Sequence, residues 1–283
     1  MTARDKFLLA KNDSNRSDLD PAATARALAD AAQEAGELAL KMQAAGVRTW
    51  NKLRDSPVTE ADMAVDAFLR TRLQSLAPDY GWQSEESVDI PARSSSRRWV
   101  VDPIDGTRSF IKREPDWTIA TALVEDGRPI ACALYAPVTR ELFVAHAAGG
   151  ATRNGAPLSV TNQPTLAGAR IAGPLITLHR MKEAGITFEA VPRIHSLALR
   201  LARVASGEID ISLASENARD WDLAAADLLV HEAGGALTDA GGKQLVYDRP
   251  ETEHPVLAAS GSAVRPELLA MLGRILATPA PHN

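Results

Sequence analysis

The sequence predicts an α+β protein in which layered sheets alternate with helices, and three patterns carry that expectation. Two long helical periodicities open the chain, a continuous β-type stretch occupies residues 117–145, and beyond Asn162 short β runs alternate with helices. With 283 residues, 45% of them hydrophobic and 24% charged, the chain has the length for one large core or two fused smaller ones. The expected division is a tail over 1–20, an N-terminal half over 21–160 with the antiparallel sheet, and a C-terminal half over 161–283.

The elements follow from local chemistry. Residues 1–20 are polar after the patch Phe7-Leu8-Leu9 and read as a loose tail. Leu28, Ala31, Ala35, Leu38, Ala39 and Met42 recur at helical spacing over Pro21–Ala45, and Gly46 ends that helix. Residues 47–55 read as a polar loop. A second helix over Glu60–Leu76 puts Ala61, Val65, Phe68, Leu69 and Leu73 on one face, and Thr59-Glu60-Ala61-Asp62 resembles a capping box at its start. Tyr80-Gly81-Trp82 and Arg98-Trp99-Val100-Val101 are short β runs, separated by the acidic Ser84-Glu85-Glu86-Ser87 and a solvated Ser/Arg loop over 93–98. Runs at 118–124, 130–135 and 141–145, with Asp126-Gly127 and Asn154-Gly155 as turns, predict consecutive antiparallel strands. Helices are expected at 196–206, at 222–233 before Gly234-Gly235, and at 265–277, with 278–283 frayed.

Composition excludes several classes. A net charge of −5 argues against a nucleic-acid polymer as partner, since such domains carry a basic stripe. Cys132 is the sole cysteine, so neither an intramolecular disulfide nor a cysteine zinc cluster forms; it reads as core packing. No apolar run approaches a membrane span or a signal-peptide core, and a cytoplasmic location is the expectation. His179, His195, His231 and His254 have no zinc-ligand spacing and are left outside the metal site.

The chemistry concentrates in Asp102-Pro103-Ile104-Asp105-Gly106-Thr107, which sets two carboxylates, a carbonyl and a hydroxyl where a strand turns into a helix. Pro103 fixes φ and lacks an N–H, Gly106 permits a sharp bend, and Thr107 opens the helix. Carboxylates there hold hard cations, and unpaired N–H groups at a helix start favour an anion. Glu85-Glu86 and Trp221-Asp222 add oxygens from distant parts of the chain. Adjacent strand residues face opposite ways, so one of Glu85 and Glu86 is solvated. Asp222 precedes an apolar helix, a position that also suits an N-cap.

Four ordered motifs, residues 56–62, 85–87, 102–107 and 221–235, together resemble the inositol monophosphatase superfamily of metal-dependent, lithium-sensitive phosphomonoesterases. The resemblance implies the sugar-phosphatase αβαβα sandwich with its site at the junction of two halves. It implies that Asp102 bridges two metals, that Asp105, the Ile104 carbonyl, Glu85 and Asp222 complete a site for two or three Mg²⁺ ions, and that Asp62 and Thr107 hold the attacking water with Glu85 beside them. Asp62 thus has both a capping and a catalytic reading. Gly106, Thr107, Arg108, Lys52 and Arg219 are the candidate phosphate and substrate contacts. Ser84 and Ala226 stand where many relatives have glycine, which touches backbone fit and no ligand.

The resemblance also frames the partner: a small phosphorylated metabolite, with a homodimer allowed and no membrane. Gly106-Thr107-Arg108-Ser109-Phe110 is closer to the 3'(2'),5'-bisphosphate nucleotidase form than to the inositol monophosphatase form, so the expected reaction converts adenosine 3',5'-bisphosphate to AMP and phosphate. Inositol-1-phosphate and histidinol phosphate are the alternatives. From another class, the chain reads as a non-catalytic metal-binding regulator.

Overall fold

The computed structural model describes residues 19–51, 57–93, 95–247 and 249–277. The expected tail and C-terminal fraying lie outside these residues except at the tail's last two positions. There Asp20 belongs to the first helix: its carboxylate accepts the Ala23 N–H at 2.8 Å as the N-cap.

Five layers stack. Helices α1 (Pro21–Ala45) and α2 (Glu60–Leu76) cover one face of a seven-stranded sheet made of β3 (Gly81–Ser84), β4 (Arg97–Asp105), β5 (Thr118–Glu125), β6 (Arg128–Ala136), β7 (Glu141–His146), β8 (Ala151–Arg153) and β9 (Ala156–Pro157), in that spatial order. Only β3–β4 is parallel; the rest is a meander. Its turns use positive φ where the sequence offers it: 47° and 76° at Asp126-Gly127, 49° and 81° at Asn154-Gly155. Alternation along the strands divides the core. Trp99, Val101, Ile119, Leu123, Ala131 and Ala133 face α1 and α2, while Val100, Ala120, Ala122, Cys132 and Leu134 face the opposite layer.

That opposite layer is α5 (Leu197–Ala205) with α6 (Asp220–Glu232), which follow α3 (Thr107–Lys112) and α4 (Leu175–Glu183) in the chain. Beyond it lies a five-stranded mixed sheet ordered β11 (Glu189–Ala190), β10 (Arg170–Ala172), β12 (Ile211–Ala214), β16 (Leu257–Ser260), β14 (Ala236–Asp239). Helices α4 and α7 (Arg265–Ala277) close its outer face through Leu178, Met181, Leu268 and Met271. This is the layered α+β arrangement the motifs implied. No described helix is long and apolar enough to cross a membrane.

Three expectations need correction. The segment 47–55 is not all loop: β1 (Thr49–Asn51) pairs antiparallel with β2 (Pro57–Thr59), and because all three β1 residues are exposed they carry no period-two signal. The helix expected at 222–233 begins at Asp220, two residues early, because Asp220 is buried against His254 instead of ending a loop. Helix α4 was missed; Pro174 and a nine-residue length with exposed Leu175 and Ile176 disguise its pattern.

Candidate metal and phosphate site

Asp102 and Asp105 sit three apart on one strand, a spacing that in regular β geometry points side chains to opposite faces. Pairing with β5 jumps from Asp102↔Ala120 to Asp105↔Thr118, so β4 bulges at Pro103, which has no N–H for the ladder. The bulge turns both carboxylates toward one point. Asp222 joins them from the first turn of α6, and oxygens of the three carboxylates lie within 4.8 Å of one another. Glu85, just past the end of β3, lines the same cavity of about 280 Å³, as do Ile104, Gly106, Thr107 and Arg108.

Each carboxylate is aimed by its neighbours. The Ile104 N–H donates to Asp102 at 3.0 Å. Ser196 Oγ and the Ala198 N–H each donate to Asp105 Oδ2 at 2.6 Å, so the start of α5 orients that ligand from the far half of the chain. Asp222 is not an N-cap. It sits at N3 and accepts the Arg219 N–H at 2.7 Å, because α6 starts earlier than the apolar run suggested. Asp62 closes the capping box and also meets Thr107: Oδ2 accepts the Thr59 N–H at 2.7 Å and Thr59 Oγ1 at 2.6 Å, while Oδ1 accepts from Thr107 Oγ1 at 3.3 Å.

The electrostatics suit a bound positive charge. Burial first, then the charges of Glu85, Asp105, Asp222 and Glu86, pushes the Asp102 carboxyl well above the ordinary carboxylate range. Asp222 rises likewise from burial and from Asp105. Asp105 goes to about 6, burial outweighing its Ser196 and Ala198 hydrogen bonds, and burial lifts Asp62 to about 6 as well. Crowded oxygen donors that resist ionising alone are the donor set a hard divalent cation stabilises. Glu86 presses on Asp102 without lining the cavity, which is how the acidic pair divides.

Gly106 is where the chain must bend, with φ +95°. A Cβ there meets the Asp116 carbonyl oxygen at 2.8 Å and Trp117 Cα at 3.2 Å. Gly106→Ala is expected to cost about 2 kcal/mol. A chemical-denaturation midpoint equal to wild type would contradict this.

Not every candidate converges. Arg219 does not line the cavity: its guanidinium reaches Glu253 at 2.5 Å and Thr252 Oγ1 at 2.8 Å and lies over Trp221. Lys52 lies outside the described residues. Conversely, Arg193 and His195 do line the cavity. The His195 N–H donates to Asp116 at 2.6 Å, tying this segment to the turn after α3. Their place before the Ser196 cap is visible in the sequence, but that this helix start meets Asp105 is not.

Residues 18–276 match the model of the inositol monophosphatase family. An inositol-1-monophosphatase of Rhizobium meliloti is 34% identical over 199 residues, 66% of this chain and 74% of that protein. Nus factor SuhB of Escherichia coli K12 is 32% identical over 225 residues, 75% of this chain and 83% of the relative. Among solved structures, the extragenic suppressor protein suhB of Bartonella henselae superposes with a TM-score of 0.80 at 28% identity, covering 88% of this chain and 98% of that one. A family match spanning both halves, on a fold that brings three distant carboxylates to one point, shows that the chain belongs to the inositol monophosphatase family, a family of phosphoric monoester hydrolases.

Proposed function

We propose that the chain hydrolyses a small phosphomonoester with Mg²⁺ held by Glu85, Asp102, Asp105, Asp222 and the Ile104 carbonyl. The observation that carries this reading is the convergence of Asp102, Asp105 and Asp222 within 4.8 Å in a cavity of about 280 Å³. Bound cations supply Lewis acidity there, lowering the pKa of the attacking water and neutralising charge on the phosphate and the leaving oxygen. The protein's own part is orientation. Thr107 Oγ1 has one proton and two acceptors, Ile104 O at 3.1 Å and Asp62 Oδ1 at 3.3 Å. Once the Ile104 carbonyl serves as a ligand the proton goes to Asp62, and the Thr107 lone pairs turn to accept a hydrogen bond from the water. Asp62, pinned by Thr59 at the start of α2, keeps that geometry fixed. Backbone N–H groups of the Gly106-Thr107 turn, with the Arg108 side chain at the cavity wall, receive the phosphate oxygens.

On substrate, the names of relatives point to inositol-1-phosphate, whereas Arg108 supports a substrate with a second phosphate, adenosine 3',5'-bisphosphate. Phosphate release is to be measured from both, and from histidinol phosphate, with and without magnesium. Turnover in any excludes the non-catalytic regulator. We expect the bisphosphate to be preferred, and Arg108→Ala to narrow the preference by one to two decades in kcat/KM, the equivalent of a charge-assisted pair of about 1.5–3 kcal/mol. A wild-type preference for inositol-1-phosphate, or an equal loss on both substrates, removes the bisphosphate reading.

A further inference from the structure

A second cavity, of about 380 Å³, adjoins the first, and Arg193 is a wall of both. Its other walls are mainly apolar, among them Leu178, Val191 and Ile194, and no carboxylate lines it. Arg200, from the middle of α5, lines it too. Its Nε donates to Ser212 Oγ at 3.1 Å and one terminal nitrogen to the Leu213 carbonyl at 2.9 Å. The other terminal nitrogen has no acceptor, and no carboxylate lies within 4 Å of the guanidinium, among the described residues. Both fixed acceptors are neutral. Burial drives Arg200 down to about 10 against the pull of Asp105, and the Arg193 charge adds a smaller repulsion. Two guanidiniums on a cavity with no acid in its wall form a place for an oxyanion, because Arg presents a planar fork to phosphate or carboxylate and neither is in contact with a carboxylate among the described residues.

We propose that this second cavity binds the alcohol half of the substrate and that Arg193 and Arg200 recognise a second anionic group on it, a phosphate or a carboxylate. This rests on the phosphomonoesterase reading, in which the first cavity takes the scissile phosphate. The apolar walls would cover the carbon frame between the two anions. This assignment is an alternative to Arg108 as the partner of the second anion: Arg108 lines only the first cavity, so a ratio that falls with Arg108→Ala and holds with Arg200→Gln overturns it.

Matched substrate pairs test it. Adenosine 3',5'-bisphosphate against adenosine 3'-phosphate isolates a second phosphate; 3-phosphoglycerate against glycerol 1-phosphate isolates a carboxylate. Wild type is expected to favour the doubly anionic member of at least one pair by tenfold or more in kcat/KM, and the pair that shows it identifies the anion. Arg200→Gln should reduce that ratio about tenfold. Arg193→Gln, whose side chain is exposed and makes no hydrogen bond among the described residues, should lower the same ratio and guards against a misfolded Arg200 variant. A calorimetric titration of magnesium-loaded protein with 5'-AMP and glycerate, the products that keep the second anion, and with their uncharged counterparts adenosine and glycerol, reads the site without turnover. Because Arg200 does not line the first cavity, weaker anion binding in Arg200→Gln locates the anion in the second. Equal losses on both members of each pair, or unchanged anion affinities in both variants, would overturn the proposal. If no phosphate is released from any compound the hydrolase reading falls, while the titration still decides the subsite.

Discussion

Asp105→Asn is expected to lower kcat by at least about a thousandfold, the rate equivalent of roughly 4 kcal/mol of lost charge stabilisation, while the protein remains folded. The amide is nearly the size of the carboxylate, and its oxygen can still accept from Ser196 Oγ and the Ala198 N–H, the two 2.6 Å bonds that tie β4 to α5. What disappears is one negative charge in a buried cluster. Burial already pushes Asp105 to about 6, so removing that charge relieves the metal-free fold, and its Tm should equal or exceed that of wild type. The stabilisation that magnesium confers should shrink at the same time. This combination separates a ligand from a structural residue, since a merely structural Asp105 would show the opposite: lower Tm and preserved turnover. Near-wild-type kcat at saturating magnesium would remove Asp105 from the metal site.

The legibility of this chain varied with how local each signal was. The meander from β5 to β7 was readable because alternating side chains face two different cores, and Asp-Gly and Asn-Gly turns admit the positive φ they need. Helices α1, α2 and α7 carried full amphipathic stripes. Helix α4 did not, since Leu175 and Ile176 are exposed at its start. In the site, Asp102 and Asp105 were readable from one hexapeptide, yet their convergence depends on the bulge at Pro103, which spacing alone does not reveal. In the sequence Asp62 reads as either a cap or a site residue, and its two oxygens let it cap with one and reach Thr107 with the other. Arg193 and His195 are not legible as cavity residues because the start of α5 docks against Asp105, a contact between residues 91 positions apart in the chain. Arg219 misled in the other direction: a basic residue beside a ligand motif is satisfied by Glu253 on β15 (Glu253–His254), a strand that enters only through the fold.

Stripping divalent cations with a chelator is expected to stop turnover altogether and to destabilise the protein more at about pH 7.5 than at about pH 5.5. Asp62 and Asp105 titrate at about 6 in the folded chain against 3.8 for the ordinary group, and Asp102 and Asp222 are raised further. Below 3.8 these groups are protonated in folded and unfolded chains alike, and burial costs them little. As pH rises above that value the unfolded chain releases its protons first, so the folded state loses relative stability through about 6 for the first two groups and beyond it for the others. Carboxylates held low by partners, Glu141 and Asp210 among them, act in the reverse sense, but only below their ordinary values of 4.5 and 3.8, outside this window. Metal-free protein should therefore show a falling Tm between these two pH values. Magnesium should recover it at the higher one by about 2.7 kcal/mol when present at a hundredfold its Kd, and lithium should inhibit the magnesium-supported turnover. In the proposed reading cations are the counter-charge that lets the crowded carboxylates ionise together, so catalysis and the pH dependence of stability would share one cause. Full turnover in chelator, or a metal-free Tm that climbs from pH 5.5 to 7.5, would break that link.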